Sequence, residues 1–225
     1  MDGIDCNLRE LYQDLLRAYG RQDWWPGRED PFEVIVGAVL TQRTTWTNAA
    51  RVIDALRRAN LLTPEAIRQT ESRDLEILIR PAGFYRAKTA KLKAFCTMLW
   101  REHAGDLSRL LALPLEDLRS VLLSVYGIGD ETADAILLYA AGKPSFVIDA
   151  YTRRVLTRLG WIEGRESYQQ LRTAFTQALP TDVGTFAEYH ALIVHHGKSH
   201  CRSRPRCNTC PLLGMCETAN YREDV

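Results

Sequence analysis

The chain has 225 residues, 46% of them hydrophobic and 25% charged, with a formal net charge of +1. That length allows one large domain or two modest ones, each with ample core. No apolar run approaches the roughly 20 residues that span a bilayer. The start, MDGIDCNLRE, lacks the basic and apolar regions of a secretory signal, so the expected compartment is the cytoplasm, where thiols stay reduced and membranes are no partner.

Helical periodicity dominates from the first element onward. Leu8, Leu11, Tyr12, Leu15, Leu16 and Tyr19 recur at helical spacing. Asp30-Pro31-Phe32-Glu33 is a helix start: a capping Asp, a first-turn Pro, and Glu three residues on. The segment that follows, Phe32 to Leu40, is apolar all round and predicts a buried helix. Another helix covers about 47–59, and two short ones begin at Thr63-Pro64 and Ser72, the second stopped by Pro81. Further helices are expected at about 86–103, 115–125, 130–141, 149–159, 167–179 and 183–196. Only Ser145–Ile148 hints at extended chain, and the tail from His200 reads as a cysteine-rich loop. The fold class is all-α.

The small net charge hides an uneven distribution. Phe84 to Arg101 carries five cations and no acid, which by itself predicts a solvated helix face. Lys198, Arg202, Arg204 and Arg206 form a second basic run without acids. Local basic faces rather than net charge engage phosphates, and the second run is interleaved with cysteines.

Four of the six cysteines, Cys201, Cys207, Cys210 and Cys216, fall within sixteen residues as C-x5-C-x2-C-x5-C. Four thiolates so close can wrap one metal centre in a loop that has no core of its own. Zinc and a [4Fe–4S] cluster both accept four thiolates, and the spacing alone leaves the two open. Cys6 and Cys96 read as small buried hydrophobes.

Tyr126-Gly127-Ile128-Gly129 lies between two predicted helices. Glycine at both positions is expected to let the backbone take positive φ and approach a ligand closely. The amides at the start of the next helix then face an anionic oxygen, independent of base sequence.

With these segments in hand, the chain resembles the helix-hairpin-helix DNA glycosylases of the endonuclease III type. The resemblance runs from about Asp30 to Cys216. It rests on Leu40-Thr41-Gln42, Gly83-Phe84-Tyr85-Arg86-Ala87-Lys88, Gly127-Ile128-Gly129, Ile148-Asp149-Ala150, His196-Gly197-Lys198 and the cysteine tail, in that order. It implies two helical lobes. One, at 29–142, is a six-helix barrel ending in the hairpin; the other, 1–28 with 143–225, is a cluster lobe formed by both termini. It also implies a [4Fe–4S] cluster on the four cysteines rather than zinc, although the first inter-cysteine gap is one residue shorter than the usual pattern. The implied partner is double-stranded DNA containing a damaged base, bound by a monomer associated with the nucleoid.

Asp149 follows the apolar run Phe146-Val147-Ile148 and reads from the sequence as a helix cap. By resemblance it matches the family's catalytic Asp. A fixed anion at that point stabilises the positive charge that develops on the sugar and orients an attacking water. Bifunctional members place a Lys just past the hairpin; this chain has Glu131, which forms no Schiff base. The expectation is a monofunctional glycosylase. The alternatives are a bifunctional endonuclease III acting on oxidised pyrimidines, and a damage-binding protein without catalysis.

Gln42 matches the family residue that fills the gap left by an extruded base; unaided, it reads as a polar group at a helix end. Trp24, Trp25, Pro26 and Trp46 suggest a pocket wall on which a flipped base stacks, or a filler of the joint between domains. The set W-W-P, L-T-Q-x-T-x-W, G-I-G-x-E-T-A-D and I-D-A-Y-T-R-R is similar to the 3-methyladenine glycosylase branch, which implies alkylated purines as substrates.

Overall fold

The computed structural model describes the chain over residues 2–22 and 30–220. Every regular element among the described residues is helical. The chain falls into two compact units, Trp25–Lys143 and Met1–Trp24 with Pro144–Val225.

In the first unit, α2 (Pro31–Leu40) follows α1 (Asp2–Tyr19) of the other unit and begins as its sequence dictates. Asp30 Oδ1 accepts from the amides of Phe32 and Glu33, a cap worth about 1 kcal/mol. Because α2 is apolar on every side it buries Val34 to Leu40 completely. It packs against α3 (Trp46–Arg58), α6 (Tyr85–His103) and α9 (Asp130–Ala135), which continues as a π-helical turn over Ile136–Ala140. Thr45 and Thr63 cap α3 and α4 (Pro64–Gln69) with their hydroxyls. After α5 (Ser72–Ile79), Pro81 enters a 3-10 turn, Arg80–Ala82.

The basic face of α6 is not uniformly solvated. Arg86 and Arg101 are exposed, but Lys88 is only 1% exposed, and its ammonium donates to the carbonyls of Leu40 and Ala82, each at 2.8 Å. Two backbone acceptors that helix and turn geometry leave unpaired supply what an acidic partner would otherwise provide. A short helix, α7 (Leu107–Leu111), capped by Asp106, sits in a stretch whose local signal is too brief to predict it. Next come α8 (Leu115–Ser124) and the hairpin. Arg119 on α8 joins it to α9 through Asp134, which is fully buried, and Asp130. Removing one partner of such a buried pair costs about 3–5 kcal/mol.

The second unit joins α1 to α10 (Ala150–Leu159), α11 (Tyr168–Ala178), α12 (Val183–Ser199) and the short α13 (Glu217–Asn220). Residues 144–148 form no strand; they run as buried loop, and Phe146 stacks on Phe175 with centroids 4.0 Å apart. Phe186 and Tyr189 pack edge-on to Phe146. Burying such a ring contributes about 1.5–3 kcal/mol. Tyr189 donates its hydroxyl proton to Leu8 O at 2.8 Å, fixing α12 to α1. Among the described residues no helix is long and apolar enough to cross a membrane.

Candidate functional site

The hairpin departs from its expected geometry at one glycine. Gly127 has φ +79°, and a Cβ there would overlap the methylene chain of Lys91. Gly129 is extended instead, with φ −99° and ψ −178°, and a Cβ there would stand in open space. Its glycine is therefore not required by backbone strain; it leaves the face in front of α9 clear. Ile128 turns its side chain into the core at 4% exposure, so only its backbone remains for a ligand. Glu131 lies exposed on the first turn of α9.

Gln42, just past the end of α2, is tied to this hairpin. Its amide nitrogen donates to Gly127 O at 3.2 Å and Thr132 Oγ1 at 2.9 Å, and its oxygen accepts from the Lys91 ammonium. Lys91 is a member of this constellation that sequence reasoning missed, because its contacts join positions far apart in the chain. Trp46 packs its ring 3.3 Å from where a Gly37 Cβ would stand, closing the joint between α2 and α3. Trp24, Trp25 and Pro26 lie outside the described residues.

In the other unit, Asp149 caps α10. Its Oδ1 accepts from the amide of Thr152 at 2.7 Å and from the Thr152 hydroxyl at 3.0 Å. His190 Nε2 of α12 stands 3.6 Å from Oδ2, and the Asp149 and His190 side chains are 12% and 6% exposed respectively. Burial pushes the Asp149 carboxyl up, but the contact and charge of His190 and the two Thr152 bonds outweigh it and hold the carboxyl below its ordinary range. The helix N-terminus adds to the same effect. Lys198, exposed near the end of α12, has its ammonium pKa lowered by partial burial, and the charge of Asp149 opposes the fall. His190 left no local sequence signal: its role depends on how α12 lies along α10.

The four cysteines line a single open recess, walled in part by Val155, Leu159 and Leu212. All four are free thiols. Burial raises the Cys210 thiol pKa, the backbone of Leu212 opposes the rise, and the charges of Cys216, Cys201 and Cys207 add to it. Arg158 of α10 donates to Cys201 Sγ at 3.4 Å, and Arg154 to Cys201 O at 2.7 Å. Among the described residues no group of three His, Cys, Asp or Glu side chains converges tightly enough for a single metal ion. Arg202, Arg204 and Arg206 on this loop are all exposed.

Comparison with known proteins matches residues 36–181 to the HhH-GPD superfamily, described as base excision DNA repair proteins. A putative DNA repair glycosylase of Methanocaldococcus jannaschii is 43% identical over 93% of this chain and 95% of its own length. A solved endonuclease III–DNA complex superimposes with a TM-score of 0.82 over 98% of this chain and 99% of that one, at 23% identity, a likeness of fold. The H. pylori 3-methyladenine DNA glycosylase, solved with 1,N6-ethenoadenine, gives a TM-score of 0.73 at 28% identity, covering 87% of this chain and 97% of that one. A family match across well over half the sequence, and a relative similar along nearly its whole length, agree with the helical fold. The chain belongs to the HhH-GPD superfamily and is an endonuclease III-like DNA glycosylase of base excision repair, an enzyme that hydrolyses N-glycosidic bonds.

Proposed function

We propose that the protein is a monofunctional glycosylase that removes alkylated purines from double-stranded DNA and leaves the abasic site uncut. The observation that carries this reading is Glu131: the position past the hairpin where a lyase amine is needed holds an acid, exposed on the first turn of α9. A carboxylate forms no Schiff base with the opened sugar, so water remains the nucleophile.

Asp149 is the catalytic carboxylate in this reading. The damaged base leaves the stack. As the C1′–N bond breaks, the electron pair goes to the base and positive charge grows on the sugar, which the fixed anion stabilises. Water adds its oxygen to C1′ and gives its proton to Asp149. An N-alkylated purine already carries a positive charge, so it departs neutral without a general acid. This agrees with a carboxylate whose protonation is disfavoured.

The backbone amides of Gly127, Ile128 and Gly129 serve a phosphate, and Lys198, Arg202, Arg204 and Arg206 serve others on the duplex backbone. Gln42 fills the space the base vacates once its bonds to the hairpin break. Trp46 would stack on the flipped purine, and Trp24, Trp25 and Pro26, outside the described residues, are the other candidates for that role; the packing of Trp46 against Gly37 also supports a filling role. The protein acts as a monomer in the nucleoid. The barrel domain spans 29–142, and the cluster domain takes 1–28 with 143–225.

Cys201, Cys207, Cys210 and Cys216 would hold a [4Fe–4S] cluster. Four thiols lining one recess offer the all-sulfur donor set that such a cluster takes. The cluster would supply rigidity to the arginine-bearing loop. Iron and acid-labile sulfide in the purified protein support it; zinc alone overturns it.

A second reading, bifunctional cleavage, is favoured by one observation. Lys198 is an exposed amine near the end of α12, the helix whose His190 stands beside Asp149. Lesion-bearing oligonucleotides scored with and without alkali separate the two readings. The monofunctional enzyme cuts only after alkali, and borohydride traps no adduct. A covalent adduct lost in Lys198→Met establishes the second.

A further inference from the structure

We infer that His190 is the positioning residue for Asp149: from α12 its imidazole faces Oδ2, the carboxylate oxygen that no Thr152 bond reaches, and keeps that oxygen anionic. The inference rests on the reading of Asp149 as the catalytic carboxylate and adds the residue that makes a buried carboxylate usable.

The geometry divides the carboxylate in two. Oδ1 is committed to capping α10 through the amide and hydroxyl of Thr152. Both bonds of the cap end on Oδ1, so the cap leaves Oδ2 to its other neighbours. His190 Nε2, 3.6 Å from Oδ2, lies on that second side.

Burial makes this neighbour matter. A carboxylate with 12% exposure loses most of its hydration, and a buried anion without compensation takes up a proton instead. Three groups among the described residues oppose that outcome by bond or charge: Thr152 from α10, and His190 and Lys198 from α12. Lys198 is exposed, so solvent and salt screen its charge. The His190 side chain is 6% exposed, and its interaction is screened far less. Its place on α12 is also secured, because the preceding residue, Tyr189, is fully buried and bonded to Leu8 O.

A merely structural histidine would lower the rate at every pH alike. A positioning histidine moves the acid limb, because losing it raises the pH at which Asp149 takes up its proton. The test compares wild type, His190→Leu, His190→Gln and Asp149→Asn as purified holoproteins. Single-turnover release of methylpurines from duplex DNA methylated with dimethyl sulfate is followed across pH. Affinity for a duplex carrying a tetrahydrofuran abasic analogue is measured beside it.

Both His190 variants should show the acid limb displaced to higher pH by about one unit, making them roughly tenfold slower on that limb, with affinity for the analogue retained. Carbon NMR titration of the Asp149 carboxyl in wild type and His190→Gln reads the same displacement without any substrate. Acid limbs and titrations that coincide with wild type overturn the inference. An Asp149→Asn protein with full activity overturns the underlying reading instead, and the two failures are distinct.

Discussion

The side-chain amide of Gln42 donates to Thr132 Oγ1 at 2.9 Å, binding the end of α2 to the first turn of the helix that follows the hairpin. The same amide reaches Gly127 O, and Lys91 closes the set on the other side of Gln42. A glutamine so engaged stabilises the hairpin before any DNA arrives. Gln42→Ala removes all three bonds, each worth about 0.5–1.5 kcal/mol net. Urea unfolding should therefore show a loss of roughly 1.5–4.5 kcal/mol. An unchanged midpoint and slope would mean that the bonds contribute nothing to the free protein.

The two hairpin glycines are expected to respond differently to the same substitution. Gly127→Ala places a Cβ where φ is +79° and where the Lys91 methylenes already lie. Strain and overlap together should destabilise the protein by roughly 1–3 kcal/mol and weaken DNA binding with it. Gly129→Ala meets neither obstacle, since the residue is extended and nothing lies within 4 Å of the added carbon. Its melting temperature should match wild type while its affinity for duplex DNA falls, because the new methyl obstructs the approach of a phosphate to the amides. Equal affinity for Gly129→Ala and wild type would place the phosphate elsewhere.

Lys88 makes a prediction about pH. Burial, with the nearby charge of Lys91 as a smaller contribution, lowers its pKa from 10.5 to about 8 in the folded protein. Between those two values the unfolded chain binds more protons than the folded one, so stability rises with pH over that interval. Below about pH 8 both states are protonated, and the cost of burying the charge is fully present. Lys88→Met should flatten this rise. It should also leave the carbonyls of Leu40 and Ala82 without their donor, at about 1–3 kcal/mol for each buried acceptor. Chemical denaturation of both proteins at neutral pH and near pH 10 checks both effects; parallel pH slopes would be the contrary result.

What the sequence disclosed, and what it did not, follows the range of each interaction. Asp30 and Asp149 declare themselves as caps because the donors they serve lie two or three residues away. Eight of the ten residues of α2 are buried, which an unbroken apolar run foretells. The cysteine recess was legible because all of its thiols come from one short loop. His190, Lys91 and Lys88 are different. Their partners lie on other helices, and a charged residue on a helical pattern reads as solvated until the facing carbonyl or carboxylate is known. Gly129 shows the converse. Its neighbourhood suggested a strained turn, but the hairpin needs positive φ only at Gly127, and the second glycine leaves open space.

Glu131 offers the sharpest chemical test. It stands exposed on the first turn of α9, where acids are favoured by the amides of the helix start. Glu131→Lys reverses that preference at a cost of about 0.3–1 kcal/mol, small against total stability, so the variant should fold. If the rest of the site already positions an opened sugar, the introduced amine supplies the one missing group. The variant should then form a borohydride-trappable adduct with lesion DNA and cut the strand without alkali. The wild-type protein, assayed beside it, should do neither. A wild-type adduct of equal yield would show that another amine performs the lyase step, and the replacement at position 131 would lose its meaning for mechanism.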